Sequence, residues 1–384
     1  MGTTKNAGCE EMKTLFIGHY KEGSGWSQAT TNSILAANSV GLDIVCRNIK
    51  LTNHSGPIDK TILELENKDL KNIDCCIQNV LPHHIVGTQK FKKNIAYFVG
   101  ESNTLRYSSW LIYLKLVDEV WVPNHSLKLA LTNDGINENK IKVIPYAFNL
   151  EKYKTIDRKI NFMNDNYKFK FYYVGDLNDR KNIESIIRCF YSEFDNFEPV
   201  TLVLKVKKFG INDVDLNKHV INLCNMIKKQ LRIYDDVSMY NREIIVPGEL
   251  SNEEIDILHS SCDCFINASH GEGWSIPAFD AMCFGKTPIC SNEGGPKEFI
   301  NEQDKNTGSL INGVYSVCDH SDPAFSDIFT GREEWFTPSE SEMKKAMRYY
   351  YENRDSIDRT AGIKYAQKFC YESVGNLIKD AIYA

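Results

Sequence analysis

Residues 168–194 read KFKFYYVGDLNDRKNIESIIRCFYSEF, and this stretch decides the fold. The run Phe171-Tyr172-Tyr173-Val174 is uninterrupted and mostly aromatic, which is typical of a strand buried on both faces and therefore of a parallel sheet covered by helices. From 182 to 194 apolar side chains recur at helical spacing and form one stripe of Ile183, Ile186, Ile187 and Phe190. The stretch therefore predicts a strand, a loop and a helix in succession.

The same succession recurs along the whole chain. Strands are predicted at 14–18, 43–47, 74–80, 94–99, 119–122 and 142–145, and again at 168–174, 201–205, 243–246, 263–267 and 287–290. Ser251 and Glu254 have the spacing of a capping box, which starts a helix, and 339–383 is predicted to be helical. This alternation predicts an α/β fold of two Rossmann-like, doubly wound domains that face each other across a cleft.

The pattern restarts after residues 145–154, and this restart sets the expected domain boundary. We expect an N-terminal domain over 12–150 on the acceptor side and a C-terminal, nucleotide-binding domain over 151–365. The segment 366–384 is expected to form a helix that packs back toward the N-terminal domain. A chain of 384 residues is long enough for two such cores.

Composition excludes several functional classes. The 45 Lys and Arg residues against 51 Asp and Glu give a net charge of −6, which argues against binding nucleic acid by neutralising its phosphates. No apolar run approaches the length of a membrane span. Lys90, Lys92 and Lys93 lie between two apolar runs; a solvated loop is the favoured interpretation, and a weak peripheral contact with an anionic membrane is the alternative.

The cysteines indicate the compartment and argue against a metal site. All 12 are scattered, and no secretory signal precedes them, so we expect core thiols in a reducing, cytoplasmic compartment. Cys262 and Cys264 lack a second Cys or His pair at ligand spacing. We therefore expect no metal site.

One loop, residues 268–282, is dense in chemically useful residues. Gly271 and Gly273 allow the backbone to approach a ligand closely, and Ser275 is placed to cap a helix whose N-terminus favours an anion. Glu272 precedes that helix, and Asp280 lies about one turn into it. A second glycine-rich turn at 291–298 follows the next predicted strand, and the two turns together indicate a ligand site.

This region resembles the donor-binding region of retaining glycosyltransferases of GT-B fold, family 4 and its relatives. Their pattern is a Glu, seven residues, a second Glu, Ala-Met, a Gly-x-Pro strand and a Gly-Gly turn. Here it reads Glu272, seven residues, Asp280-Ala281-Met282, then GKTP at 285–288 and GGPKE at 294–298. The second acid is Asp in place of Glu, one methylene shorter.

The resemblance extends to three further segments. VGDLNDRKN at 174–182 is similar to the family's diphosphate-binding loop: Gly175 and Lys181 match it, Asp176 stands where an Arg is common, and Arg180 is the expected substitute. GSGWS at 23–27 is similar to its first glycine-rich loop, which assigns Gly25 to donor binding. Glu101 lies roughly where many members place a His or an acid that faces the donor sugar.

The resemblance implies a reaction and a role for each residue. A nucleoside-diphosphate sugar, of UDP or GDP type, would give its glycosyl group with retention to a hydroxyl of a glycan, lipid-linked or protein-linked acceptor. Lys181 and Arg180 would hold the diphosphate, with the backbone N–H groups of Gly273, Trp274 and Ser275 beside it. Glu272 would bind hydroxyls of the sugar, Asp280 those of the ribose, and the indole of Trp274 is expected to line the site. No metal or other cofactor is expected.

Two alternatives stay open at this point. One is a GT-B epimerase or phosphorylase, although no motif for a free phosphate or pyridoxal phosphate is apparent. The other is a non-catalytic subunit that binds a sugar nucleotide, because Asp176 and Asp280 both depart from the family pattern. A retaining hydrolase would need two carboxylates flanking one bond, and Glu272 and Asp280 do not lie in segments suited to that.

Overall fold

The computed structural model describes residues 12–50, 53, 55–154, 169–318 and 329–384, and it consists of two α/β domains. The N-terminal domain contains β1 Thr14–Gly18, α1 Gly25–Ser39, β2 Ile44–Asn48, α2 Lys60–Glu66, β3 Cys75–Asn79, β4 Lys93–Tyr97, α3 Trp110–Leu114, β5 Glu119–Val122, α4 His125–Asn133 and β6 Ile141–Val143. The C-terminal part contains β7 Phe169–Asp176, α5 Ile183–Glu193, β8 Val200–Lys207, α6 Asp213–Leu231, β9 Glu243–Pro247, α7 Asn252–Ser261, β10 Cys264–Asn267, α8 Ile276–Cys283, β11 Ile289–Ser291, α9 Pro296–Phe299, β12 Ser309–Ile311, β13 Gly313–Val317, β14 Glu334–Pro338, α10 Glu340–Glu352, α11 Arg359–Ala366 and α12 Tyr371–Tyr383.

Each domain is built on a six-stranded sheet, and all the pairings within these two sheets are parallel. The strand order is β2-β1-β3-β4-β5-β6 in the first sheet and β12-β11-β10-β7-β8-β9 in the second. In the second sheet the order reverses between β7 and β10, and open α/β sheets bind ligands at such a reversal, beyond the carboxyl ends of the strands. The predicted α/β, doubly wound GT-B architecture is confirmed.

The predicted strands are found within a residue or two of their expected ends, except that Lys168 lies outside the described residues. Three strands were not predicted: β12, and the antiparallel hairpin of β13 and β14, in which Val314 pairs with Thr337. The capping box at Ser251 and Glu254 is present. The predicted terminal helical region is divided into α10, α11 and α12.

The chain crosses between the domains twice, and the two crossings are adjacent. The Phe148 N–H donates to the Phe369 carbonyl at 2.9 Å, and Phe148 forms a parallel bridge with Cys370. Beyond this point α12 packs on α1 of the N-terminal domain, where Tyr371 donates to the side chain of Asn32 at 2.8 Å. The chain thus returns to the domain in which it started.

Two observations bear on the expected membrane contact. The Lys93 ammonium forms an ion pair with Glu119 at 2.8 Å and donates to the Ala381 carbonyl of α12, so it is a structural residue. No described helix is long and apolar enough to cross a bilayer. A peripheral contact through Lys90 and Lys92 stays a prediction.

Candidate functional site

The site lies where the sheet order of the C-terminal domain reverses. Two loops meet there: the loop after β7, which carries Arg180 and Lys181, and the loop after β10, which carries Glu272. The parallel pairing of β7 with β10 brings the ends of these strands to the same edge, so residues 91 positions apart come into contact.

Glu272 is the centre of a hydrogen-bonded network. Its carboxylate receives the Lys181 ammonium at 2.6 Å, the Ser269 hydroxyl at 2.7 Å and the Asn267 amide at 3.0 Å, all on one oxygen. The other oxygen lies 3.7 Å from a guanidinium nitrogen of Arg180. Burial alone would raise the pKa of Glu272, but Lys181, Arg180 and the hydrogen bonds lower it to about 2. The group is therefore a fixed anion at any physiological pH.

Arg180 connects the two domains. Its Nε lies 3.0 Å from a carboxylate oxygen of Glu101 in the N-terminal domain, and its Nη1 donates to the Gly271 carbonyl at 2.6 Å. Burial raises the pKa of Glu101 although Arg180 opposes this. For Arg180 the balance is opposite: burial would lower the pKa, but Glu101 and Glu272 keep it raised. Sequence reasoning had placed these residues in one site, and the structure brings them into direct contact.

The local backbone explains why two consecutive cations can both face this site. Residues 179–181 form a single 3-10 turn whose start is held by the Asn178 side chain, which accepts from the Lys181 N–H at 3.1 Å. Asn182 then takes a left-handed conformation, φ 49°, which Asn tolerates better than most residues, and α5 begins immediately after it.

Glycines at the loop after β10 let the two domains touch through their backbones. A Cβ on Gly271 would lie 2.1 Å from the Glu101 carbonyl oxygen, and one on Gly273 would lie 1.9 Å from a Val99 methyl. Across the same contact the Asn124 amide donates to the Gly273 carbonyl at 2.7 Å. These glycines serve a close interdomain approach in this structure.

The pocket left between the domains is narrow. It encloses about 20 Å³, room for roughly one water molecule, and it is lined by both domains and by the β13–β14 hairpin. From the hairpin come Tyr315, Glu334 and Phe336. The hairpin is anchored on His270: the Phe336 N–H donates to the His270 backbone carbonyl at 3.0 Å, and the ring Nδ1 of His270 lies 3.0 Å from the Phe336 carbonyl oxygen.

Comparison with known proteins shows a similarity to one family within the C-terminal domain. Residues 228–317 match the family described as Glycosyl transferases group 1. The match lies within the C-terminal domain and covers less than a quarter of the chain. Its matched part runs from the end of α6 to the end of β13 and includes the whole loop that carries Glu272.

The curated proteins to which this chain is similar are distant relatives. The serotype-specific mannosyltransferase WbdA of Escherichia coli is 23% identical over 163 residues, which cover 40% of this chain and 18% of that protein. An uncharacterized 41.2 kDa protein from the cps region of Klebsiella pneumoniae is 23% identical over 229 residues, 59% of this chain and 54% of that one. This chain thus matches about a fifth to a half of the length of these curated relatives.

The fold is shared over nearly the whole chain. The crystal structure of HepE from Anabaena in complex with UDP-glucose superposes with a TM-score of 0.64, covering 97% of this chain and 99% of that one at 14% identity. At this identity the likeness establishes the two-domain GT-B fold.

Two predictions for the C-terminal domain are wrong in their geometry. The indole of Trp274 does not line the cleft: it is 2% exposed and packs among Tyr146, Phe148 and Phe369 in the core that joins the domains. Ser275 occupies the N-cap position of α8, but with φ 68° its side chain does not cap the helix and accepts instead from Asn267 at 2.6 Å. Diphosphate binding by the backbone N–H groups of these two residues stays a prediction.

Asp280 lies apart from the Glu272 network. Its carboxylate accepts a short hydrogen bond from the Tyr153 hydroxyl, and Lys152 lies 3.5 Å away. Both partners belong to a 3-10 turn that follows the last strand of the N-terminal domain. The ribose contact assigned to Asp280 therefore competes with an existing partner.

The remaining predicted residues occupy the edges of the site. Gly25 starts α1 and faces α8, where a Cβ would lie 3.7 Å from the Ile276 side chain. Gly175 is the last residue but one of β7 and lies against the Tyr173 hydroxyl, and a carboxylate oxygen of Asp176 lies 3.9 Å from the Lys207 ammonium. Asp176 therefore supplies no cation at the position where the family commonly has an Arg.

Several contributing residues were not found from the sequence. Asn267, Ser269 and Asn124 orient Glu272 and its loop, and the hairpin supplies a wall of the pocket. The position of Asn267 at the end of a predicted strand was the available signal, because that edge of a parallel sheet is where ligands bind. Within the described ranges no three His, Cys, Asp or Glu side chains are grouped to hold a metal ion.

Proposed function

We propose that this protein is a retaining glycosyltransferase that transfers a sugar from a nucleoside-diphosphate sugar to a hydroxyl acceptor without a metal ion. The observation that carries the proposal is the contact of two cations, Arg180 and Lys181, with the permanently ionised Glu272 at the sheet reversal. An anion site beside a fixed carboxylate suits a ligand with an anionic part and a neutral, hydroxyl-rich part.

The proposed chemistry requires the donor to replace the contacts that Lys181, Arg180 and Glu272 make with one another in this structure. When a donor binds, Lys181 and Arg180 contact its diphosphate. The carboxylate of Glu272 can then accept hydrogen bonds from hydroxyls of the sugar. As the glycosyl bond breaks, negative charge grows on the leaving diphosphate. Cations held in place before the reaction stabilise that charge without reorganising, which is worth several kcal/mol in comparable sites.

Donor binding requires the domains to part. The pocket of about 20 Å³ is far smaller than a sugar nucleotide, and the Arg180–Glu101 pair and the Gly271 contact both span the domains. The adjacent crossings at Phe148 and Phe369 leave a narrow connection about which the domains can rotate. We infer that the structure represents the closed arrangement.

The identities of the donor sugar and of the acceptor are also part of the proposal. WbdA carries the name of a mannosyltransferase, which supports a hexosyl donor of UDP or GDP type and a glycan or glycolipid acceptor. A non-catalytic sugar-nucleotide-binding subunit is the second candidate, supported by the bond between Tyr153 and Asp280, which occupies the expected ribose contact.

The test is a donor screen with purified protein. Individual nucleoside-diphosphate sugars are incubated with the wild type, Lys181→Met and Glu272→Gln, and release of nucleoside diphosphate is followed together with its binding by calorimetry. Lys218→Met is the matched control, because Lys218 is exposed on α6, where its ammonium lies 3.8 Å from a carboxylate oxygen of Asp215.

We expect one donor to turn over, and both site variants to lower kcat/KM about 100–1000-fold, the usual loss when one stabilising group is removed. Retention is read from the anomeric configuration of the product. Nucleotide binding without turnover under any acceptor mixture would favour the non-catalytic candidate, and failure to bind any nucleotide would refute the proposal.

A further inference from the structure

The β13–β14 hairpin adds two carboxylates to the pocket. Glu334, at the start of β14, reaches the N-terminal domain, where it accepts from the Asn103 amide at 2.9 Å. Its own N–H donates back to the Asn103 side chain at 3.0 Å. Tyr315, on β13, donates to Glu293 at 2.8 Å, so the hairpin also fixes the orientation of this second acid.

The partners of these two acids leave their charge uncompensated. Asn103 and Tyr315 are neutral donors, and no cation among the described residues forms an ion pair with Glu293 or Glu334. Together with Glu101 and Glu272 they place four carboxylates around one pocket.

The cations beside the pocket are already assigned to another part of the ligand. Arg180 and Lys181 are the two cations in contact with Glu101 and Glu272. A nucleoside-diphosphate sugar carries a negative charge on each of its two phosphate groups, so these two cations balance the diphosphate and leave none for an anionic sugar.

We propose that this pocket selects an uncharged sugar and rejects a uronic acid, and that Glu293 and Glu334, held by the hairpin, determine this selection. The inference rests on the proposed function and specifies its substrate class. A sugar carboxylate placed among these acids would face like charges, which buried Glu272 exerts with little solvent screening and exposed Glu334 with more, whereas sugar hydroxyls can donate to the same oxygens.

The test compares two donors that differ only in the oxidation state of the sugar. UDP-glucose is compared with UDP-glucuronate, and GDP-mannose with GDP-mannuronate, in the wild type and in the double variant Glu293→Gln/Glu334→Gln. Glutamine preserves the shape of each side chain and removes its charge. Glu64→Gln is the control, because Glu64 is an exposed residue of α2 whose carboxylate lies 3.9 Å from the ammonium of Lys60.

The quantity measured is the ratio of kcat/KM for the neutral donor to that for the uronate, with the ratio of binding constants from calorimetry as a second readout. We expect a ratio of about 100 or more in the wild type and in Glu64→Gln, and a fall of about tenfold in the double variant. A wild-type ratio near one, or a ratio that the double variant leaves unchanged, would overturn this inference and leave the proposed function standing. If no nucleoside diphosphate binds at all, the proposed function fails, and the binding data identify that outcome separately.

Discussion

Replacing Glu272 with glutamine is expected to destabilise the protein at pH 7 by about 3 kcal/mol, and the loss should shrink in acid. The ion pairs of Glu272 lower its pKa from 4.5 to about 2. Each unit of pKa difference between folded and unfolded states is worth about 1.4 kcal/mol, so about 2.5 units give about 3 kcal/mol. Only 7% of this side chain is exposed, so solvent screens the interaction little.

The sign of the pH dependence follows from the direction of the shift. A carboxyl group with a lowered pKa stabilises the folded state fully above its unfolded pKa, near 4.5, and this stabilisation is lost as the pH falls through the folded pKa of about 2. At pH 3.5 the difference between wild type and variant should therefore be about 2 kcal/mol.

The assay is urea denaturation of the wild type, Glu272→Gln and the exposed control Glu64→Gln at both pH values, followed by tryptophan fluorescence. Trp274, one of five tryptophans, lies in the core that joins the domains, so unfolding of this core contributes to the change in total emission. Glu64→Gln should match the wild type within about 0.5 kcal/mol. Equal stability of wild type and Glu272→Gln at pH 7, or a difference that does not shrink at pH 3.5, would refute the reasoning.

Three further changes test other contacts. Gly271→Ala places a Cβ 2.1 Å from the Glu101 carbonyl oxygen, so we expect looser domains, seen as a larger radius of gyration in X-ray scattering; an unchanged radius and melting temperature would contradict this. Tyr153→Phe removes the hydrogen bond to Asp280 and should cost about 1 kcal/mol in urea denaturation while tightening nucleoside diphosphate binding in calorimetry, since Asp280 is released; weaker binding would argue that Asp280 has no ribose contact. Gly375→Ala places a Cβ 2.3 Å from the Ala36 carbonyl oxygen, which should separate α12 from α1 and cost about 1–3 kcal/mol, measured as a lower urea midpoint; a midpoint equal to that of the wild type would show that the helices can shift freely.

The fold could be predicted because its strands are buried on both faces. A strand such as β7 leaves an uninterrupted apolar run that does not depend on distant partners. The hairpin could not be found in this way: most of β13 is exposed, and β14 pairs with it across an intervening segment. Its position is set by Asn103 and His270, which are distant in sequence.

Site residues could be predicted from the sequence where a charged residue lies in the loop that follows a predicted strand, as Lys181 and Glu272 do. Sequence could not tell whether a residue would offer its backbone or its side chain. Trp274 shows this: Gly295 lets its backbone approach so closely that a Cβ there would lie 2.2 Å from the Trp274 Cα, and the indole turns into the interdomain core. Asp280 likewise accepts a hydrogen bond from Tyr153, which lies in the 3-10 turn between the two sheets and which no local pattern indicates as a partner.

The return of α12 to the N-terminal domain has a consequence for how the protein is made. The apolar face of α1 is covered by α12, and the Tyr383 hydroxyl accepts from the Met12 N–H at 3.1 Å, so the first domain is completed by residues that are translated after the C-terminal domain. On the ribosome the emerging N-terminal sheet must wait, with that face of α1 uncovered, while the whole C-terminal domain is synthesised. Folding of the first domain is therefore tied to completion of the second, and premature termination anywhere after β6 would leave a chain that exposes apolar surface to chaperones and proteases.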